Sequence, residues 1–425
     1  MSVQSRDGRP VEASGAVRRP VQPMHSRRKI RPRDHVVEFV ALAYLFSTPL
    51  DLIALPVRSP STVLGGLLIV VWLIDSLRLG RRLPRHGWTL GFGVLFVSWS
   101  ALTTAWSVVP AVSEQQAIST AMLFLAAIAI GSVFGDRLRR PAWALLGGSM
   151  LLAASTLVFG GRSVYYVQGL ADVSAQYTFN DIDQNALSLH LVLGCAAALF
   201  LLRRQATFVT KLVVIVMIGV LVSTVLLVGS RSAMGSLIGM ALLAAIMSGK
   251  RVSSLLWTGI AIAVSMLPIK LLAEAGMIPE RVTEWLSNPI ANDNRTEIIA
   301  LYRATIDDWF WYGVGTGGDA YYLQEAANTY KNAHSAFWKI WIETGIVGLL
   351  LWAGFVLAIA VIAVRSHHRD FFLFAGVSIA VFFYTLGPVN SNMVWAIFGL
   401  ALGVPVLVRP SASTTNGPVL DPIPT

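Results

Sequence analysis

Residues 212–228 read LVVIVMIGVLVSTVLLV, a run without a charged side chain. A helix needs about 20 mostly apolar residues to cross the hydrocarbon core of a bilayer. Lys211 stands directly before the run, and the polar sequence Gly229-Ser230-Arg231 follows it. The stretch therefore has the length and the borders of a transmembrane helix.

Similar runs recur along the whole chain. The 425 residues are 55% hydrophobic and 13% charged, whereas about a quarter of the residues in a soluble domain are charged. The sequence thus predicts an all-α polytopic integral membrane protein with about 12 transmembrane helices, and it excludes a water-soluble enzyme. The predicted spans are 36–55, 61–77, 88–108, 116–134, 142–160, 185–202, 212–228, 233–248, 252–272, 346–364, 371–386 and 393–408.

These spans divide the chain into five parts. Residues 1–35 are rich in Arg, Pro and Ser, which predicts a disordered basic tail without a cleavable signal peptide. Residues 36–272 hold spans one to nine, and 273–345 form a long, partly helical loop. Spans ten to twelve occupy 346–408, and 409–425 form a second polar tail. Loops of such length are usually functional or disordered.

The basic residues are unevenly distributed over the connections. Most of the 33 Lys and Arg residues lie in the first tail and the even-numbered connections, so both termini are expected in the cytoplasm. Because they punctuate apolar runs and form no basic face on a soluble domain, the net charge of +10 does not indicate nucleic-acid binding. The outer side holds Arg58, Arg162, Arg231, Lys270, Arg281, Arg295, Arg303, Lys331 and Lys339.

The sequence gives little support for a metal site. Cys195 is the single cysteine, which excludes an intrachain disulfide and a cysteine-based zinc site. Asp181-Ile182-Asp183 resembles the DxD that holds a divalent metal in many glycosyltransferases, but polar loop acids are the simpler interpretation. No other His, Asp and Glu cluster has metal-ligand spacing. We therefore expect no metal and no cofactor.

The long outer loop combines a helical pattern with a glycine-rich turn. Ile298, Ile299, Tyr302, Ile306 and Trp309 are spaced for one apolar face of a helix. Trp309, Trp311 and Tyr312 are then expected at the level of the lipid headgroups. The sequence GVGTGG at 313–318 suggests a phosphate loop, but no strand precedes it, so a flexible break between two helices is the favoured interpretation.

His334 is the only histidine in this loop. A helix is predicted to begin beside it and to run toward the tenth span. The partial positive charge of a helix N-terminus disfavours imidazolium, so a neutral imidazole is expected, as a general base requires. A hydrogen-bonded surface or capping histidine is the alternative.

Outer arginines could accompany this base. Arg231 sits on a turn too short to leave the membrane surface, where a charge is costly unless it is paired or used. The guanidinium fork suits phosphate oxygens, so Arg231 and Arg295 are candidates to bind a pyrophosphate. Arg162 and Arg303 are weaker candidates. Pairing with acids or with lipid headgroups is the alternative for all four.

These residues together resemble a known superfamily, that of the O-antigen ligases and polymerases of bacterial envelope glycan assembly. Its pattern is His, then Asn, Ser or Gln, nine residues and Gly-x-x-Gly, which His334-Ser335 and Gly345-Ile346-Val347-Gly348 match in full. Gly229-Ser230-Arg231 is similar to the family's outer turn. The segment from Arg295 to Gly315 is similar to its Arg-opened helix ending in Gly-x-Gly, although Trp311-Tyr312 replaces the usual proline.

The resemblance implies an O-antigen ligase. Such an enzyme is a metal-independent, inverting glycosyltransferase of the inner membrane that moves a glycan from undecaprenyl pyrophosphate to a sugar hydroxyl of lipid A core at the periplasmic face. His334 would be the catalytic base, and the arginines would bind the donor among membrane lipids.

Other functions remain open at this point. An O-antigen polymerase and a protein O-oligosaccharyltransferase share much of the pattern, but one dominant outer loop favours the ligase. A non-enzymatic transporter should show paired discontinuous helices and ionisable residues at the membrane midplane.

Overall fold

The computed structural model describes residues 34–52, 59–79, 83–84, 86–164, 175–178, 183–247, 295–328 and 333–406. Within these ranges the protein is a bundle of helices. They are α1 (Asp34–Ser47), α2 (Pro60–Leu79), α3 (Gly87–Leu102), α4 (Pro110–Phe134), α5 (Arg139–Phe159), α6 (Gln184–Arg204), α7 (Phe208–Val228), α8 (Arg231–Ile246), α9 (Arg295–Ala304), α10 (Ile306–Trp309), α11 (Asp319–Ala327), α12 (Ala336–Arg365), α13 (Arg369–Thr385) and α14 (Asn392–Gly403).

The predicted spans correspond closely to these helices. Eight helical stretches in the described ranges, α1 to α7 and α12, are long and apolar enough to cross a membrane, which confirms the all-α polytopic membrane fold. Short 3-10 turns, Thr48–Leu52 and Thr103–Trp106, extend α1 and α3. The shorter helices α8, α13 and α14 coincide with spans eight, eleven and twelve. Span nine and most of both tails lie outside the described residues.

Two short strands were not predicted. Strands β1 (Gly161–Val164) and β2 (Ala175–Thr178) form an antiparallel pair in which Arg162 lies opposite Tyr177. The pair lies in the connection between α5 and α6, so it interrupts none of the spans. A four-residue strand is too short to give a clear alternation of polar and apolar side chains.

Contacts at the two ends of the bundle agree with the predicted alternation of the spans. At the end where α1, α3, α5 and α7 finish, which we call the outer end, the Nδ2 of Asn392 donates to Ser61 Oγ at 2.6 Å. At the opposite, basic end, the Arg140 guanidinium contacts Glu38 at 2.7 Å. His368 Nε2 donates there to the carbonyl oxygen of Asp136 at 2.6 Å. Each contact joins helix ends that the alternation assigns to one side.

The outer loop has a small apolar core of its own. Its buried side chains come from α9, α10, α11, α12 and the turns between these helices. They are Ile298, Tyr302, Trp309, Val314, Leu323, Ala333 and Ile342. Trp311 and Tyr312 are exposed, but Trp309 is only 1% exposed and packs edge-on against Trp341. The expected headgroup position is therefore wrong for Trp309, because its helix turns that ring into the protein.

The first turns of α12 belong to this outer unit, and a break at Gly345 separates them from the span. Gly345 has φ 67° and ψ −175°, a combination that essentially only glycine adopts. The break frees carbonyl oxygens that accept hydrogen bonds from the glycine-rich turn. Val314 N donates to Ile342 O at 2.8 Å, and Gly315 N donates to Glu343 O at 3.0 Å. The indole of Trp99 donates to Thr344 O at 2.7 Å. The glycine-rich turn and the end of α3 therefore cap the broken helix.

We predict that Gly345→Ala destabilises the folded protein by at least about 2 kcal/mol, because a side chain disfavours this backbone conformation and its Cβ would overlap the carbonyl of Trp311. Thermal unfolding in detergent measures the loss. Gly376→Ala in α13 is the matched control, since a Cβ there meets nothing within 4 Å. Equal melting temperatures for the two variants would contradict the role given to Gly345.

We also predict that the outer end faces away from the cytoplasm, since it carries fewer basic residues. In a Cys195→Ala background, an impermeant thiol reagent added to intact cells should label Gln324→Cys and not Ala206→Cys. Both positions are exposed, and they lie at opposite ends of the bundle. Labelling of Ala206→Cys alone would reverse the orientation.

Candidate functional site

His334 lies in a strained turn directly before α12. Its φ is 46°, and among the described residues only Asn328 shares a positive φ without being glycine. Ser335 is the N-cap of α12, so the helix begins where the sequence predicted. His334 is half-buried between the buried residues Ala333 and Ser335. A left-handed backbone costs about 1 to 3 kcal/mol and tends to occur at functional sites, where neighbouring contacts maintain it.

Neighbouring elements hold this turn from both sides. Ala333 N donates to Asp319 Oδ2 at 3.2 Å, so the first residue of α11 fixes the backbone immediately before His334. On the other side, Gly387, at the end of α13, lies against the backbone of Ser335. The imidazole is therefore presented by backbone that two other helices clamp.

A buried ionic network lies beneath the turn, and the sequence analysis did not identify it. Lys339 Nζ lies 3.0 Å from Asp319 Oδ1 and 2.5 Å from Glu343 Oε1. Asp319 and Glu343 are 1% and 5% exposed. The spacing of Lys339 and Glu343, four residues apart on one helix, was a signal that they could pair. Nothing in the sequence indicated that Asp319 completes the network.

The backbone amides of the glycine-rich turn at 313–318 donate mostly within the protein. Besides the amides of Val314 and Gly315, which cap α12, those of Gly313 and Gly318 donate to Trp309 O and Gly315 O. Thr316 N donates to Thr103 Oγ1 at 3.1 Å. The turn separates α10 from α11 as predicted, but its amides are bonded to neighbouring elements, so it is not the flexible break that the sequence suggested.

Arg231 opens α8 at the outer end. Gly229, with φ 73°, ends α7, and Ser230 caps α8 while its hydroxyl donates to Asn185 Oδ1 at 2.8 Å. A cation at a helix N-terminus interacts unfavourably with the helix dipole, so Arg231 does not stabilise α8 through its charge. α8 packs along α13, and the end of α13 touches Ser335. The half-buried Arg231 and His334 therefore lie at one end of the bundle.

The other sequence-predicted arginines lie on separate elements. Arg295 is the first residue of α9, and Arg162 lies on β1. Arg303, in the last turn of α9, is exposed, and its guanidinium lies 5.6 Å from the ring centre of Trp338. Since Trp338 follows His334 by one helical turn, the structure brings Arg303 to the helix that begins at the histidine. It was considered a weaker candidate from sequence.

Tyr302 connects α9 to the network. Burial raises the pKa of its hydroxyl, which therefore stays protonated and donates to the carbonyl oxygen of Asp319 at 3.3 Å. Tyr302 precedes Arg303 in the chain. The helix that carries Arg295 and Arg303 is thus tied to the residue that also holds the His334 turn.

Of the two acids of the DxD sequence, the structure describes only Asp183. Asp183 is the N-cap of α6 and accepts hydrogen bonds from Asn185 N at 2.7 Å and Ala186 N at 3.1 Å. Asp181 lies outside the described residues. In the part of the chain that the structure describes, no three His, Cys, Asp or Glu side chains are grouped to hold a metal ion.

Comparison with known proteins identifies one family. The family model described as O-antigen ligase matches residues 216–353, a range that holds Arg231, Arg295, Arg303 and His334 and leaves Arg162 outside. The curated proteins include no match to this chain. The match covers less than half of the chain; it supports the resemblance to the O-antigen ligase and polymerase superfamily and suggests a glycosyltransferase-like activity, without separating ligases from polymerases.

Proposed function

We propose that the protein is an O-antigen ligase that transfers a glycan from undecaprenyl pyrophosphate to a sugar hydroxyl of lipid A core in lipopolysaccharide assembly. The reaction would take place at the periplasmic face of the bacterial inner membrane, with both termini in the cytoplasm. The observation that carries the proposal is the family match over 216–353, within which His334 occupies a strained and clamped turn.

His334 would act as the general base. The acceptor hydroxyl would lose its proton to the imidazole while its oxygen attacks the anomeric carbon of the donor. The bond from that carbon to the pyrophosphate oxygen would break with its electron pair, so that undecaprenyl pyrophosphate leaves and the configuration inverts. A positioned base contributes roughly 10²- to 10⁴-fold to such a rate.

The outer arginines would stabilise the departing pyrophosphate. Arg231 and Arg295 are the principal candidates, and Arg303 and Arg162 are secondary ones. Charge that develops on the leaving group is best stabilised by donors already in place, because no reorganisation is then needed in the transition state. Since the donor sugar is already activated by its pyrophosphate bond, we propose that neither ATP nor a metal ion takes part.

We predict that His334→Asn lowers the single-turnover rate at least about 100-fold, because the base is lost. Asparagine tolerates the left-handed backbone, so the turn should persist. The full-length protein in phospholipid vesicles would be given undecaprenyl-pyrophosphate-linked O-antigen and lipid A core, and products would be resolved on a gel. Donor binding should change less than about twofold, since proton abstraction matters only in the transition state.

The matched control for this experiment is His368→Asn at the basic end, which should transfer at the wild-type rate. A near wild-type rate for folded His334→Asn would reject the base. Loss of wild-type activity in EDTA, with recovery in Mg²⁺, would reject the metal-free mechanism. Elongation of the donor glycan without use of lipid A core would assign a polymerase instead, and transfer to an added protein acceptor would assign an oligosaccharyltransferase.

We further predict that Arg231→Lys lowers the transfer rate about tenfold, because the charge is retained and the bidentate fork is lost. Arg303→Lys and Arg162→Lys should be tolerated better. The same assay measures the rates, with Arg203→Lys at the basic end as control. If Arg231→Ala and Arg295→Ala both transfer normally, the two arginines do not bind the donor.

A further inference from the structure

The buried network of Asp319, Lys339 and Glu343 lies where three parts of the candidate site meet. Asp319 holds the backbone of Ala333 through Oδ2 and contacts Lys339 through Oδ1. Glu343 contacts the same ammonium, and its backbone carbonyl accepts a hydrogen bond from Gly315 N at 3.0 Å. One cation thus joins the His334 turn to the glycine-rich turn.

The same network also reaches the helix that carries two candidate arginines. Tyr302 donates to the carbonyl of Asp319, and it sits beside Arg303 on α9. This bond uses the backbone carbonyl of Asp319, so it survives when the Asp319 side chain is replaced. The carboxylate of Asp319 holds the backbone before His334 and the ammonium of Lys339, and the attachment of α9 does not depend on it.

Stability alone is a weak reason for such a network. A buried ion pair is often no more stabilising than well-packed apolar side chains, because the charges must be removed from water. Surrounding residues such as Ile342, Leu323 and Ala333 already form an apolar core. What apolar side chains would not supply is a directional bond to Ala333 N.

We propose that Asp319 and Lys339 are positioning residues for His334. This inference rests on the proposed function, because it takes His334 as the base. Asp319 acts through the peptide of Ala333, and Lys339 acts by holding the carboxylate of Asp319 in place against Glu343. Neither residue is assigned a contact with substrate.

The test compares variants of the full-length protein in vesicles with undecaprenyl-pyrophosphate-linked O-antigen and lipid A core. Asp319→Ala removes the acceptor of Ala333 N, and Lys339→Met removes only the ammonium. Each should lower the single-turnover rate at least tenfold while the donor KM stays within twofold, because chemistry and not binding is impaired. Lys339→Arg should recover most of the rate, since a guanidinium reaches both carboxylates.

A double-mutant cycle separates positioning from a general structural role. In a His334→Asn background, Asp319→Ala and Lys339→Met should lower the residual rate less than twofold, because the group they position is gone. Equal losses with and without His334 would overturn the proposal, as would a raised donor KM at an unchanged rate. Glu38→Gln, which removes the charge of a buried carboxylate that pairs with Arg140 at the basic end, is the matched control and should leave the rate unchanged.

Hydrogen exchange of the Ala333 amide gives a readout that needs no transfer. Exchange should be at least tenfold faster in Asp319→Ala than in wild type, while amides in the middle of α13 stay unchanged. Unchanged exchange at Ala333 would overturn the proposal even in an active protein. If Asp319→Ala does not fold, the same measurement on Lys339→Met and Lys339→Arg decides. A wild-type protein that transfers nothing would reject the proposed function, and the exchange experiment would still test the positioning network.

Discussion

The backbone contact between the break in α12 and the turn at 313–318 is the constraint on which the outer unit depends. A helix interrupted at Gly345 exposes carbonyls that must find donors. Val314, Gly315 and Trp99 supply them, and they come from two distant parts of the chain. Because these donors are fixed, the first turns of α12 have a defined direction relative to the membrane span. His334 directly precedes these turns, so its position is defined with them.

The electrostatics of the outer unit follow from this arrangement. The break lets Lys339 and Glu343 occupy a short helical segment outside the long apolar part of α12, where Asp319 can join them. Two buried carboxylates then share one ammonium, and that of Asp319 also accepts a hydrogen bond from Ala333 N. Such a network is costly to disturb, since removing one member leaves an uncompensated buried charge.

Much of the membrane fold was predictable, because its main determinant is local. A span such as 212–228 can be predicted from its length and its lack of charged residues, and α7 covers it fully. Around the candidate site, the sequence predicted the helix that begins beside His334 and the turn at 313–318, both of which have local signals. Asp319 was missed because its partners lie 14 and 20 residues away, a separation at which sequence carries no helical or strand period. Trp309 was misplaced because an aromatic ring suits a protein core as well as a lipid interface.

The helix break at Gly345 and the strained turn at His334 both lie at the outer end of the bundle, which favours catalysis over transport. Within the described helices the only break that interrupts a predicted span's helix lies at its outer end, and amides of the neighbouring turn cap it. A transporter that alternates access needs paired broken helices near the midplane, with backbone groups available to ions or substrates. Here the amides of Val314 and Gly315 cap the break in α12, and the carboxylate of Asp319 holds the backbone before His334. Rigid placement of that kind costs folding free energy and benefits a reaction whose transition state needs groups already in position.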